Sequence, residues 1–337
     1  HCCGHHAQMA GIFGAALALT VPEIAEKLGG QVVFFATPAE EYGEIEFKNQ
    51  LREQGKIRYG GGKCELIRTG AFDDIDLCLA HHIQPGDEIQ VGSGTGNGFV
   101  SKVIRYLGKA AHAAGAPDKG VNALSAASIG LQALGLNRET FRDEDCVRVH
   151  PIITKGGNLV NVIPDEIVIE TLVRVKTIEA FTDAAKKTDR SFQAGAVAMG
   201  AKVEITTLPG YLPTLAEQAL PELKRAAELA APEVPVREDA GHSGGSTDVG
   251  DVQHLMPVYT FNTGGVKGGL HQINFEVTNE EEAYIDTAKM FALAAYGLLK
   301  EKAARSKELV KNYKPVFKDS AEYTKFMEQF DSKEVLD

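Results

Sequence analysis

Four short segments of this 337-residue chain carry side chains able to hold a metal or move a proton. Cys3-Gly4-His5 sets a thiol and an imidazole two positions apart. Positions i and i+2 do not share a helix face, so the pair is expected on a loop that Gly4 lets bend. Sulfur with imidazole is a transition-metal donor set, not a calcium one. A polar loop that merely contains a cysteine is the competing reading. Thr37-Pro38-Ala39-Glu40-Glu41 follows the apolar run 32–36. Adjacent side chains diverge, so one carboxylate can bind metal while its neighbour serves as general base to an activated water. With Glu44 and Glu46 nearby, a solvated acidic loop fits as well. His81-His82 ends the run 75–80, and His271 follows Gly268-Gly269-Leu270. A lone histidine is ordinarily a surface or core residue. Cys, Glu and several His at four segment ends form, together, a donor set suited to zinc or manganese in a hydrolytic site.

Such segments need a scaffold. Residues 7–19 are small and apolar, as in a tightly packed helix, and Pro22 opens a second helix. Runs 32–36 and 75–80 are continuously apolar, as expected of strands covered on both faces. Helices between them point to a mostly parallel α/β sheet, whose ligands bind at the carboxyl ends of the strands. Segments 99–107, 119–136, 147–154, 166–175, 178–199 and 202–208 read β-α-β-β-α-β, the ferredoxin-like order. A helix at 214–231, a Gly/Ser-rich loop at 241–251, a strand at 258–262 and a long helix return to the first unit. Thr278 with Glu281 reads as that helix's capping box. The expected fold class is an α/β catalytic domain (1–97 and 209–310) with an inserted ferredoxin-like α+β lid (98–208). A peripheral helical tail (311–337) completes the chain.

Composition narrows the function. Lys plus Arg number 35 against 46 Asp plus Glu, a net charge of −11, which argues against nucleic-acid and anionic-membrane partners. No run of 18 apolar residues appears, so no transmembrane helix is expected. The length exceeds the ~250–300 residues at which single cores stop growing, which favours two domains. Five scattered cysteines are not a disulfide framework and fit a reducing, cytoplasmic setting. The chain opens at His1 without a Met, inside what reads as a motif, and is expected to be a piece of a longer protein.

His1-Cys2-Cys3-Gly4-His5-His6 resembles the H-x-C-G-H-[DN] signature of the M20 metallopeptidase superfamily, amidohydrolase subfamily. Pro38-Ala39-Glu40-Glu41 resembles its P-A-E-E, and His82-Ile83-Gln84-Pro85 its H-x-x-P. Asn161-Val162-Ile163-Pro164-Asp165 resembles its N-V-I-P-[DE], and Leu270-His271 with Phe275 its last ligand segment. The segment from Gly245-Ser246-Thr247-Asp248 to Val252 is similar to the branch containing aminobenzoyl-glutamate hydrolases. The resemblance implies a metallopeptidase-type fold and two divalent ions, zinc or manganese. They would be held by Cys3, His5, Glu41, His82 and His271, with Cys3 bridging. It implies that Glu40 is the general base and that His112 stabilises the oxyanion in a partner subunit of a homodimer. Asn161 and Arg174 would hold a substrate carboxylate. His6 stands where many relatives carry Asp, and spacing to Pro85 favours His82 over His81. An N-terminal region with an R-x-D-x-D-A-L segment has no counterpart here. The implied reaction is hydrolysis of an N-acyl or N-aroyl amino acid. The alternatives are a dipeptidase, or an inactive metal-binding and dimerisation module.

Overall fold

The computed structural model describes residues 3–239 and 241–337, so His1 and Cys2 of the opening motif lie outside it. Its most regular part is a six-stranded antiparallel sheet. Strand Gly98–Leu107 pairs with Glu166–Val175 on one side and Lys202–Tyr211 on the other. Arg148–Val149 and Ile152–Lys155 share the outer edge of Glu166–Val175, parted by Pro151, which cannot donate to a ladder. The expected single strand at 147–154 is therefore two.

Helices Ala123–Asn137 and Ile178–Met199 pack together over one sheet face. Asn122 caps the first helix by accepting the amides of Leu124 and Ser125, and Thr177 caps the second through the Ala180 amide. Between sheet and helices, Tyr106, Ile167, Ile169, Phe192, Ala196 and Val203 form a closed core. The β-α-β-β-α-β expectation is met.

The tail is not peripheral. Helix Ser320–Met327 follows Phe317, and strand Ser332–Leu336 adds itself to the outer edge of Lys202–Tyr211. Phe317, Tyr323 and Met327 are buried with Phe99, Val173, Phe181, Ile67 and Met256, so the stretch from Phe317 onward cements the base of the lid to the other unit. A helix-only reading missed this because Ser332–Leu336 carries no local strand signal and becomes a strand only by pairing with an open edge.

The remaining unit carries a four-stranded sheet in the order Cys78–Ile83, Val258–Thr263, Ile89–Val91, Val236–Glu238. Two of its three pairings are parallel. Helix His5–Leu19 lies against Thr287–Asn312 so closely that a Cβ on Gly11 would fall 2.4 Å from Thr287 Cγ2. The small residues of the first helix are what permit this approach.

Several boundaries differ from expectation. Residues 32–36 form no strand; Val33 and Phe34 are exposed, and the neighbouring edge of Cys78–Ile83 carries no strand among the described residues. The strand expected at 75–80 begins at Cys78 and runs on through both histidines. The helix expected from Thr214 starts at Pro221, because the residue before a proline avoids helical geometry. Asn279, not Thr278, accepts the amides of Glu281 and Glu282 that open the long helical segment. No helix is long and apolar enough to cross a membrane among the described residues.

Candidate metal centre

Cys3 and Gly4 precede the first helix, and His5 is its first residue. The expected loop thus covers only half of the pair. Gly4 has φ +82°, and a Cβ there would meet Ile83 Cγ2 at 2.3 Å. Only glycine lets the chain turn into the helix against the strand that carries His82. Two more left-handed residues flank the site: Ala39 (φ 53°), directly before Glu40, and His271 itself (φ 63°). Such conformations cost of order 1–2 kcal/mol in a non-glycine residue and cluster at functional sites.

The loops converge. One ligand atom from each of Cys3, His5 and His82 lies within 4.8 Å of the others, and the same holds for Cys3, Glu41 and His271. Cys3 belongs to both triads, so one thiolate stands between two potential cation positions. His5, Glu40 and Glu41 form a third group. Cys3 Sγ is 3.5 Å from His82 Nε2, His5 Nε2 is 3.3 Å from both Glu40 Oε2 and Glu41 Oε1, and Glu41 Oε1 is 3.5 Å from His271 Nε2.

The imidazoles are oriented from behind. His82 Nδ1 donates to the Ile83 carbonyl at 2.6 Å, and His5 Nδ1 lies 2.7 Å from Gln8 Oε1. Both arrangements leave Nε2 facing the cluster, the pattern by which metal-binding histidines are fixed in tautomer and direction. Adjacent strand residues point to opposite faces, so His82 joins the cluster while His81 is buried against Phe261 and Phe291, with Nε2 2.8 Å from Thr263 Oγ1. His6 contacts Tyr284 at 3.1 Å and Phe275.

Charge follows from this crowding. Contacts with Cys3 and Glu40 push His5 up to about 11 despite its burial. Burial raises the Cys3 thiol and lowers His82. Burial also works to raise Glu40, but His5, the Lys63 ammonium and Thr247 overcome it and take the carboxyl down to about 2. His5 thus lies between a thiol and two carboxylates. The soft sulfur, three imidazoles and carboxylates form a donor set suited to transition-metal ions.

Glu40 is gripped on every side. The Ala39 carbonyl accepts from the Gly62 amide at 3.1 Å, and the Glu40 carbonyl accepts from the Tyr211 hydroxyl. Thr247 Oγ1 donates to Glu40 Oε1 at 2.8 Å. None of Tyr211, Thr247, Lys63 or Gln8 stood out in the sequence as a site residue. Thr247 lies in a segment noted there only for resemblance, and the others carry no local signal.

Arg174, Phe99 and Tyr211 stand in register across three lid strands, at the ends that face the cluster. The Arg174 guanidinium lies 5.5 Å from the Phe99 ring centre and donates to Ser246 Oγ at 2.6 Å. Together with Tyr42, Leu172, Glu40, Glu41 and His271, this row lines a cavity of about 490 Å³. A second, longer trough of about 790 Å³ runs from His5 and Glu40 along the open edge of Cys78–Ile83. His112 and Asn161 are elsewhere. The Ala113 amide donates to the Asn161 carbonyl, His112 accepts from Gly115, and neither residue lines the cleft of its own chain.

Known proteins resemble this chain along most of its length. The profile of peptidase family M20/M25/M40 matches residues 1–296. A Xaa-Arg dipeptidase from Mus musculus is 28% identical over 94% of this chain and 67% of its own length. One of the two p-aminobenzoyl-glutamate hydrolase polypeptides of Escherichia coli is 30% identical, over 47% of this chain and 29% of its own. Among solved structures, a dinuclear metal-binding peptidase of the M20 family from Bacillus subtilis superposes with a TM-score of 0.59 at 23% identity, covering 89% of this chain and 73% of that one. An aminobenzoyl-glutamate utilization protein from Klebsiella pneumoniae superposes with a TM-score of 0.58 at 19% identity, covering 86% and 67%.

Proposed function

Because the chain belongs to peptidase family M20/M25/M40, whose members hydrolyse amide and peptide bonds, we propose that its cleft cleaves the amide of an N-acyl or N-aroyl amino acid. The observation that carries this reading is Cys3 shared between two donor triads, with Glu40 beside them. Cys3, His5, Glu41, His82 and His271 would hold two divalent ions, zinc or manganese. Bound there, such ions lower the pKa of water and polarise a carbonyl.

The side chains then divide the work. Glu40 takes the proton of the attacking water on the oxygen that faces His5, and returns it to the leaving amine. Arg174 on the lid offers a guanidinium fork to the carboxylate of the amino-acid half, over the apolar floor of Phe99 and Leu172. His112 and Asn161 lie away from their own cleft, which supports a homodimer in which each lid supplies them to the other subunit, His112 toward the oxyanion and Asn161 toward the substrate carboxylate. The division into a lid (98–208), a catalytic part (1–97 and 209–310) and a tail (311–337) belongs to the same reading.

A dipeptidase is the second reading. It is favoured by the mouse relative, which is named as a Xaa-Arg dipeptidase and matches nearly the whole chain. A panel of acyl-amino acids, aroyl-glutamates and dipeptides separates the two.

The decisive experiment is Glu40→Ala. It is expected to keep both metal equivalents and lose turnover roughly a hundred- to ten-thousand-fold, the usual share of a general base. Comparable turnover in that variant would exclude the mechanism. Chelation is expected to expose Cys3 to thiol reagents while Cys64, buried against Gly210, stays inert.

A further inference from the structure

Three consecutive residues, Ser246, Thr247 and Asp248, each hold a different part of the cleft. Ser246 Oγ accepts from Arg174 of the lid at 2.6 Å. Thr247 Oγ1 donates to Glu40 Oε1 at 2.8 Å. Asp248 is fully buried and accepts from the Lys63 backbone amide at 2.9 Å and from Lys63 Nζ at 2.6 Å. Thr247 is thus pinned on both sides by charge-assisted hydrogen bonds, one to the lid and one to the helix Gly62–Arg68 whose first amide holds the Ala39 carbonyl.

This geometry decides which oxygen of Glu40 is available. A carboxylate on a free side chain turns about its last torsion with little resistance, because terminal sp²–sp³ torsions are broad. Here Oε1 accepts from Thr247 and Oε2 lies 3.3 Å from His5 Nε2. The Thr247 hydrogen bond occupies one oxygen and aims the other at the donor triads. Tyr211 fixes the peptide of Glu40, while Thr247 holds one oxygen of its carboxylate and His5 faces the other.

We propose that Thr247 is a positioning residue for Glu40, setting the orientation of its carboxylate, with Ser246–Arg174 and Asp248–Lys63 as the anchors that keep the threonine still. The inference rests on the hydrolase reading for its kinetic consequence but not for its geometry. It makes the orientation of the base depend on the lid, because the residue that touches Glu40 is bonded through its neighbour to Arg174.

The test compares Thr247→Val, which keeps the shape and removes the hydroxyl, with Thr247→Ser, which restores it. Thr247→Ala stands in if the valine variant does not fold. Metal-loaded Thr247→Val is expected to bind the same metal equivalents with unchanged KM and to lose about 10- to 100-fold in kcat, the size of one hydrogen bond to a charged group. Thr247→Ser is expected to recover most of that loss. In crystal structures, the Glu40 carboxylate is expected to leave His5 in the valine variant and to keep its place in the serine variant. An unchanged kcat in Thr247→Val, no recovery in Thr247→Ser, or an identical Glu40 rotamer in all three proteins overturns the proposal. A wild-type protein inert toward every amide in the panel would sink the hydrolase reading alone, since the crystallographic comparison still decides whether Thr247 orients Glu40.

Discussion

The lid and the metal cleft are built in opposite ways. In the lid, Gly98–Leu107 and Glu166–Val175 meet in ten successive residue pairs, helices carry side-chain caps, and Tyr106, Phe192 and Ile167 are sealed from water. In the cleft, Cys3, Glu40, Glu41 and His271 sit on loops or at helix starts, beside or within left-handed turns, and His271 and Glu41 are exposed. Regular ladders satisfy their own backbone and tolerate change locally. Loops that collect ligands from residues 3 to 271 depend on every other part of the fold. The comparison teaches that stability and chemistry are separable here, and substitutions in the two regions are expected to fail differently.

The largest effect is expected at Cys3. Since both triads include it, Cys3→Ala is expected to abolish binding of two metal equivalents and activity together, whereas His271→Ala loses one equivalent. Elemental analysis after dialysis distinguishes these outcomes, and loss of a single equivalent in Cys3→Ala would break the bridging assignment. In the lid, Phe192→Ala empties a closed core and is expected to cost about 3–5 kcal/mol in denaturant unfolding, with metal stoichiometry intact in the folded protein. If metal binding fell in step with stability, the two regions would not be separable.

A third test probes the seam between them. Burial pushes the Asp251 carboxyl up to about 8, although the Tyr323 hydroxyl donates to it at 2.8 Å and the Leu212 amide also points at it. A carboxyl neutral in the fold but ionised in the unfolded chain stabilises fully below the ordinary range, and that contribution fades as pH rises from about 4 to 8. Asp251→Asn is expected to flatten this fall in a series of unfolding midpoints against pH. An unchanged slope would mean that Asp251 is ionised in the fold.

The smallest effect is at Ala39. Glycine relieves the left-handed strain and is expected to raise stability by up to about 1 kcal/mol while lowering kcat, because the turn before Glu40 loosens. A gain in both would show that the strain has no part in holding the base.

Much of the lid was legible in the chain itself. The boundaries at 166–175 and 178–199 coincide with the observed strand and helix, because alternation and helical spacing are local signals that the ladders reinforce. The cleft was legible as motifs but not as geometry. His82 was separable from His81 only by its spacing to Pro85, whereas the strand's alternation turns one into the cleft and the other into the core. Residues 32–36 and 332–336 were misread because pairing, not local composition, decides a strand: 332–336 meet the free edge of Lys202–Tyr211, whereas 32–36 pair with no described strand.

Residue type and order alone specified the donors, the adjacent pair of carboxylates, the acidic surface and the alternation of the lid, since these depend on contacts between near neighbours. Which donors share a point, which oxygen of Glu40 is free, and that Thr247, Tyr211 and Lys63 surround it were decided only when segments tens to hundreds of residues apart packed together. Nothing in a local stretch of chain encodes the distance between two loops; the burial of the elements between them does.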